Sequence, residues 1–258
     1  MISKASLKYY SSLLQKKFRV AENKFLVEGK KLVLEGISSG YIPEIVLVSS
    51  AFKNNASELI SDLLNRNILV EEVKDTDFSK IAETENPQGI TAVFNKKDFP
   101  KYRELKTILK AGKNLIVFLD SVSDPGNLGT IIRNADWFGI LTIVLNKNCV
   151  EVFNPKVIRS SMGSVFHVDI FEQVDESTFF EDAKKHGYKL VISTLDGVDV
   201  FTFEKRENYI IALHNESHGA GQMLRETADY KIKIPQKGKA ESLNVASASA
   251  VIFSEFTK

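Results

Sequence analysis

Cysteine is almost absent from this chain, long apolar runs are missing, and net charge is close to zero: one cysteine, Cys149, and a formal charge of +1 over 258 residues. A lone thiol excludes an internal disulfide and points to a reducing cytoplasm, with Cys149 itself reading as strand-end packing. No apolar run reaches the roughly 20 residues of a spanning helix, so no membrane role is expected. Met1–Lys17 carries Lys and Ser where a secretory signal has its apolar core. Phosphate loops are also missing: no G-x-G-x-x-G follows a strand and no G-x-x-x-x-G-K-[ST] occurs, which removes dinucleotide and nucleoside-triphosphate readings. There is no internal repeat or low-complexity tract.

A hydrophobic content of 43% is enough for one large or two modest domains. Residues 1–97 alternate between helical and strand patterns. Helices are expected at Ser3–Lys17, Leu32–Ser38, Ser57–Asn65 and Phe78–Ala82, and strands at Phe25–Val27, Glu44–Ser49, Ile68–Val73 and Ile90–Phe94. Alternation of this kind implies an α/β sandwich. The charged, proline-interrupted stretch Asn95–Lys101 marks a boundary, giving domains at 1–98 and 112–258 with a linker at 99–111. The C-terminal part has strand patterns at Leu115–Leu119, Leu141–Leu145, Val165–Ile170, Lys189–Thr194, Tyr209–Leu213 and Lys231–Ile234. Helices are expected to begin near Asn127, Pro155, Ser177, Gly219 and Ser242. Continuous apolar strands such as Ile210–Leu213 suit a mainly parallel sheet covered on both faces.

Charge is unevenly distributed. Residues 1–31 hold Lys4, Lys8, Lys16, Lys17, Arg19, Lys24, Lys30 and Lys31 against Glu22 and Glu28, with Tyr9, Tyr10 and Phe18 interleaved. Such a cluster is a candidate footprint for a phosphate backbone, with Lys16, Lys17, Arg19, Lys24, Lys30 and Lys31 as RNA contacts. The alternative is an ordinary amphipathic helix, with Leu7, Tyr10, Leu13 and Leu14 as its core stripe.

The most informative segment is Asp120–Ala135. A buried-looking strand ends there in Pro125-Gly126, suited to the centre of a type II turn, and Asn127 is the expected N-cap of a helix that stops at Gly139. On that helix Ile131, Ile132, Ala135 and Phe138 recur at core spacing, and Arg133 sits near the N-terminal end, where an anion is favoured. Two later segments accompany it: Tyr209–Gly219, containing His214-Asn215-Glu216-Ser217-His218-Gly219, and Ile234–Ala246, reading I-P-Q-K-G-K-A-E-S-L-N-V-A.

In order and spacing these three segments resemble motifs 1, 2 and 3 of the SpoU (TrmH-type) RNA ribose methyltransferases, over residues 112–258. The Phe25–Val33 string, F-L-V-E-G-K-K-L-V, is similar to the substrate-binding domain often fused to them, which resembles ribosomal proteins that grip kinked RNA. Glu28-Gly29 is equally explained as a strand-to-helix junction. The resemblance implies a SPOUT domain with a trefoil knot, one of the few exceptions to the rule against knots. It further implies a homodimer, and S-adenosylmethionine as cofactor. Contacts to that cofactor are then expected at Thr194, Leu213, His214, Asn215, Gly219, Ile234, Gln236, Ser242, Leu243 and Val245.

The implied activity is methylation of a ribose 2′-hydroxyl in RNA, with ribosomal RNA favoured over tRNA because of the extra N-terminal domain. The catalytic set carried over is Arg133, Asn127, Glu216, Ser242 and Asn244. Arg133 is often called the family's general base, but a guanidinium resists deprotonation, and a phosphate clamp that stabilises the developing alkoxide is the alternative. Asn127 and Ser242 are also expected as helix N-caps. His214 and Ser217 stand where the family has glycines. This chain could therefore also be a catalytically silent RNA-binding or assembly factor whose His214 impairs cofactor binding. The H-x-E-x-H order of His214, Glu216 and His218 does not fit a zinc helix, so no metal is expected.

Overall fold

The computed structural model describes residues 1–96, 99, 102–112, 115–215 and 219–258. They form two compact units, one of Met1–Asp98 with Phe153–Phe166, the other of Phe99–Val152 with His167–Lys258. No helix among the described residues is long and apolar enough to cross a membrane.

The first unit contains α1 (Lys4–Ser12), α2 (Lys16–Glu22), β1 (Lys24–Glu28), α3 (Lys30–Ser38), β2 (Ile45–Ser49), α4 (Ser50–Asn55), α5 (Ser57–Asn65), β3 (Val70–Val73), α6 (Asp75–Phe78) and β4 (Ile90–Asn95). Its sheet runs β1-β4-β2-β3, antiparallel except between β2 and β3. The helix expected over Ser3–Lys17 is broken in two, because Leu13 is buried and the Arg19 guanidinium donates to the carbonyls of Leu13 and Leu14 at 2.9 and 2.8 Å. Period-two alternation divides the strands between two faces. Leu26 and Val93 join Leu13, Phe78 and Ile81 on one face. Phe25 and Phe94 stack at 5.9 Å on the other, where Phe153 and Phe166 approach them at 4.5 and 5.5 Å. These last two rings come from a segment that sequence order places between two strands of the second unit. Gly36 is required on α3, since a Cβ there would stand 2.9 Å from the rings of both Phe94 and Phe166.

The second unit contains α7 (Tyr102–Ala111), β5 (Ile116–Asp120), α8 (Pro125–Trp137), β6 (Thr142–Asn146), β7 (Asp169–Val174), α10 (Glu176–Lys185), β8 (Tyr188–Asp199), β9 (Asn208–His214), α11 (Gln222–Thr227), β10 (Tyr230–Lys233) and α12 (Val245–Phe256); α9 (Pro155–Ser161) belongs to the first. All its strand pairs are parallel, in the order β10-β8-β9-β5-β6-β7. Burial on both faces explains the unbroken apolar runs of β5 and β9. Residues assigned to a linker are helical as α7, which contributes Leu105 and Leu109 to the core around Phe118, Phe179 and Phe180. The strand expected at Val165–Ile170 also moves: Ser164–Phe166 is a 3-10 turn and β7 begins at Asp169.

Candidate active site

The sheet order reverses at β5: β6 and β7 are added on one side, β9, β8 and β10 on the other. Crevices at such switch points, beyond the carboxyl ends of parallel strands, are where open α/β sheets bind ligands. A cleft of about 550 Å³ lies on the β9-β8-β10 side of this point, built by the later part of β8, the end of β9, the start of the α11 segment, the turn after β10 and the approach to α12. Of the residues assigned to a cofactor, Thr194, Leu213, His214, Gly219, Ile234, Gln236, Ser242, Leu243 and Val245 line this cleft. Asn215 does not: its amide donates to the Asp120 carbonyl at 3.3 Å and its Nδ2 to the Ser121 carbonyl at 3.4 Å, tying the end of β9 to the end of β5. Glu216, Ser217 and His218 lie outside the described residues.

His214 closes one wall. Its Nε2 is 2.9 Å from the carbonyl of Ser193 on neighbouring β8, and its Nδ1 is 3.1 Å from the carbonyl of Asn215. A neutral ring carries one N–H and can donate to one of them at a time. The side chain that replaces the family's glycine is thus held against the strand edge.

The cleft is chemically mixed. Leu195 and Leu243 line it while 76% and 48% exposed, offering apolar surface on which a flat ring can lie. Asp196, Glu241, Arg225 and Lys231 bring both signs of charge. The Thr194 Oγ1 is shielded from solvent and completes no hydrogen bond of standard geometry among the described residues. It nonetheless lies close enough to Asp196 to be the main influence, ahead of Lys231, holding that carboxyl below the usual carboxylate range. A hydroxyl and a carboxylate side by side in a cleft suit a ligand with its own polar groups. S-adenosylmethionine fits this set: an adenine for the apolar wall, hydroxyls for Thr194, and cationic and carboxylate ends for the charged residues. Sequence reasoning missed Asp196, Arg225 and Lys231, because no motif position marks them.

The two ends of the motif constellation meet beside the cleft. Asn244 Nδ2 donates to Asn127 Oδ1 at 3.0 Å, and Asn244 Oδ1 accepts from the amides of Ala246 and Ser247 at 3.0 and 3.3 Å. Asn244, and not Ser242, is therefore the N-cap of α12. Asn127 is likewise no N-cap: Asp124 caps α8, accepting from the Asn127 amide at 2.8 Å, and Pro125-Gly126 already belongs to the helix. Two helical turns further on, Asn134 donates to the Ala246 carbonyl at 2.9 Å and to Ser249 Oγ at 2.8 Å, locking α8 to α12. Arg133 stands on the exposed side of α8, outside the cleft lining, with no hydrogen-bond or ion-pair partner among the described residues.

A buried polar node supports this edge. Asp120 accepts from Ser121 Oγ, Asn146 Nδ2 and the Gly221 amide at 2.7, 2.8 and 3.3 Å, and Asn146 Nδ2 also reaches Glu176 at 2.6 Å. Cys149 packs beneath it, 3.2 Å from the Leu119 carbonyl, and burial pushes its thiol up to about 12.

The basic residues of the first unit divide. Lys16, Lys17, Lys30 and Lys31 are exposed, and Lys24 pairs with Glu44 at 2.7 Å. Arg19 is 2% exposed and spent on backbone carbonyls, so it is corrected from RNA contact to structural residue. Glu28-Gly29 is the expected junction between β1 and α3, and the Glu28 carboxylate also accepts from the Glu83 and Thr84 amides and the Thr84 hydroxyl, fastening the loop before β4.

Comparison with known proteins agrees with this fold. Residues 114–254 match the SpoU rRNA Methylase family, and residues 4–92 match the MRM3-like substrate binding domain. The chain is 33% identical to the 23S rRNA (guanosine(2553)-2'-O)-methyltransferase RlmP of Bacillus subtilis, over 95% of this chain and 93% of that protein. An AdoMet-bound rRNA methyltransferase from Sinorhizobium meliloti superposes with a TM-score of 0.86 at 30% identity, covering 99% of this chain and 95% of the other. The SpoU methyltransferase AviRb from Streptomyces viridochromogenes, in complex with AdoMet, gives 0.84 at 26% identity, with 98% of both chains covered. With its catalytic-type sheet and its N-terminal unit both matched, this chain belongs to the SpoU rRNA methylase family.

Proposed function

We propose that this protein transfers the methyl group of S-adenosylmethionine to a ribose 2′-hydroxyl of RNA, with ribosomal RNA as substrate. The observation that carries the reading is the cleft itself, in which the end of β9, the turn after β10 and the start of α12 converge beside the Asn244–Asn127 hydrogen bond. When bound, the cofactor supplies an electrophilic methyl on a sulfonium. The chain's task is to align the ribose oxygen with it and to ease loss of its proton. Asn244 is fully engaged in capping and in holding Asn127, so it positions. Asn127, whose oxygen is occupied, keeps its Nδ2 to donate to a ribose oxygen. Arg133, uncommitted among the described residues, is the clamp for a substrate phosphate; Ser242 and Glu216 complete the set.

The trefoil knot, the homodimer and the cytoplasmic setting are part of the same reading. Trp137, 82% exposed one turn beyond Arg133, and Leu141, 58% exposed, supply apolar surface suited to a second copy. The expected division at 1–98 and 112–258 gives way to units of Met1–Asp98 with Phe153–Phe166 and of Phe99–Val152 with His167–Lys258, and Lys16, Lys17, Lys24, Lys30 and Lys31 are the phosphate contacts of the first. The test is transfer of tritium from methyl-labelled S-adenosylmethionine to ribosomal RNA from a strain lacking the gene. Label is expected in a dinucleotide resistant to alkaline cleavage, as 2′-O-methylation requires. Label on a base, or binding of S-adenosylmethionine without transfer to any RNA, would overturn the assignment.

A further inference from the structure

The first unit holds a second cavity, about 260 Å³, that the methyl-transfer reading does not use. Leu26, Ile81, Ile158 and Met162 supply apolar lining, and Lys31, Asn86 and Gln88 are among its polar lining residues. The walls are fastened from both directions. Glu28 holds the Glu83–Thr84 loop, and Glu83 in turn pairs with Arg159 of α9. Gln88 Oε1 accepts the Lys30 amide at 3.1 Å, which commits the oxygen of that side-chain amide and leaves its nitrogen to donate. Asn86 and Lys31 have no hydrogen-bond or ion-pair partner among the described residues, whereas the Glu28 and Glu83 carboxylates that also line the pocket are already engaged, so the donors of Lys31, Asn86 and Gln88 are the unspent polar groups.

The pocket also meets the start of α3. Gly29, at φ +99°, makes the turn into that helix, and no side chain caps it. The first intrahelical bond runs from Val33 to Gly29, so the amides of Lys31 and Leu32 are without acceptors among the described residues. Helix amides, the dipole and two lysines together favour a phosphate at this rim.

We infer that this pocket receives one unstacked RNA base, with the adjoining phosphate at the start of α3. A base combines flat apolar faces with a polar edge, the chemistry that an apolar lining with the unspent donors of Lys31, Asn86 and Gln88 recognises, and single-stranded RNA is read by proteins in this way. The choice of RNA rests on the methyltransferase reading above. Part of the pocket is built by α9 and Met162, which follow β6 in sequence, so base recognition draws on both halves of the chain.

The three methionines allow a direct test. In full-length protein carrying 13C-methyl methionine, Met162 reports the pocket, Met223 on α11 reports the neighbourhood of the cofactor cleft, and Met1 reports neither. Titration with each of the four nucleoside 5′-monophosphates is expected to shift the Met162 signal saturably with at least one of them, leaving Met1 fixed, whereas ribose 5-phosphate does not shift it. Lys31→Ala and Asn86→Asp are each expected to weaken that binding roughly tenfold, the worth of one charge-assisted hydrogen bond. Both positions are exposed, so these substitutions leave the core untouched.

An equal Met162 response to ribose 5-phosphate would mean a phosphate site only and would overturn the base assignment. So would a response confined to Met223, or silence of Met162 toward all four nucleotides. A parallel calorimetric titration with S-adenosylmethionine separates the two readings. Retained cofactor binding with a silent Met162 removes the pocket proposal alone, whereas loss of cofactor binding removes the activity reading.

Discussion

Replacing His214 by glycine restores the residue usual at this position of the family, and the structure gives the expected consequence. The ring is pinned between the carbonyls of Ser193 and Asn215 at 2.9 and 3.1 Å, and one N–H of the neutral form satisfies one of them. Losing that bond costs about 0.5–1.5 kcal/mol, and leaving a half-buried carbonyl short of a partner raises the figure toward 2 kcal/mol. Glycine at the end of a strand adds roughly 0.5–1 kcal/mol of backbone entropy relative to alanine. His214→Ala should therefore lower unfolding stability by about 1–2 kcal/mol, and His214→Gly by about 2–3 kcal/mol, read as the urea midpoint at unchanged slope. Because the ring is held on the wall of the cleft, affinity for S-adenosylmethionine should change by less than about tenfold, or 1.4 kcal/mol, in either variant. Calorimetric titration measures this. A gain well beyond tenfold in His214→Gly, with stability unchanged, would show that the imidazole blocks the cleft, and the pinned-wall account would be wrong.

Further outcomes follow from other positions. Arg133→Lys should keep fold and cofactor affinity yet lose most turnover, because an ammonium lacks the guanidinium's planar fork, and Arg133→Ala should lose it altogether; near-native turnover of the Lys variant at alkaline pH would indicate a base instead of a clamp. Gly36→Ala should destabilise the first unit by about 1–3 kcal/mol, since the new methyl meets the Phe94 and Phe166 rings at 2.9 Å; an unshifted melting curve would refute that contact. Cys149 should resist thiol reagents at neutral pH until the protein unfolds, because its thiol is pushed from 9.0 to about 12 by burial. The unfolded chain gives up this proton first, so between about pH 9 and 12 the unfolded state binds fewer protons and stability should fall with rising pH. Cys149→Ala should flatten that part of the profile; an unchanged slope would place the titration elsewhere.

Local pattern alone determined much of this protein. The apolar runs of β5 and β9 reveal a doubly covered parallel sheet because burial on both faces removes the need for polar alternation. Motif spacing located most of the cleft because successive loops at one edge of a parallel sheet converge whatever lies between them. Tertiary structure decided the rest, where partners are remote in sequence or where several residues of a turn compete for one role. Asp124 displaces Asn127 as a cap, and Asn244 displaces Ser242. Asn127 meets Asn244 across 117 positions, a pairing to which no periodicity points. Arg19 matches its lysine neighbours in charge, yet two carbonyls at the break between α1 and α2 draw it inside. Phe153 and Phe166 carry the same apolar signal as any core residue, and only packing shows that they cover the sheet of the first unit. Hydrophobicity specifies that a side chain is buried, but the shape of the surrounding core specifies against what.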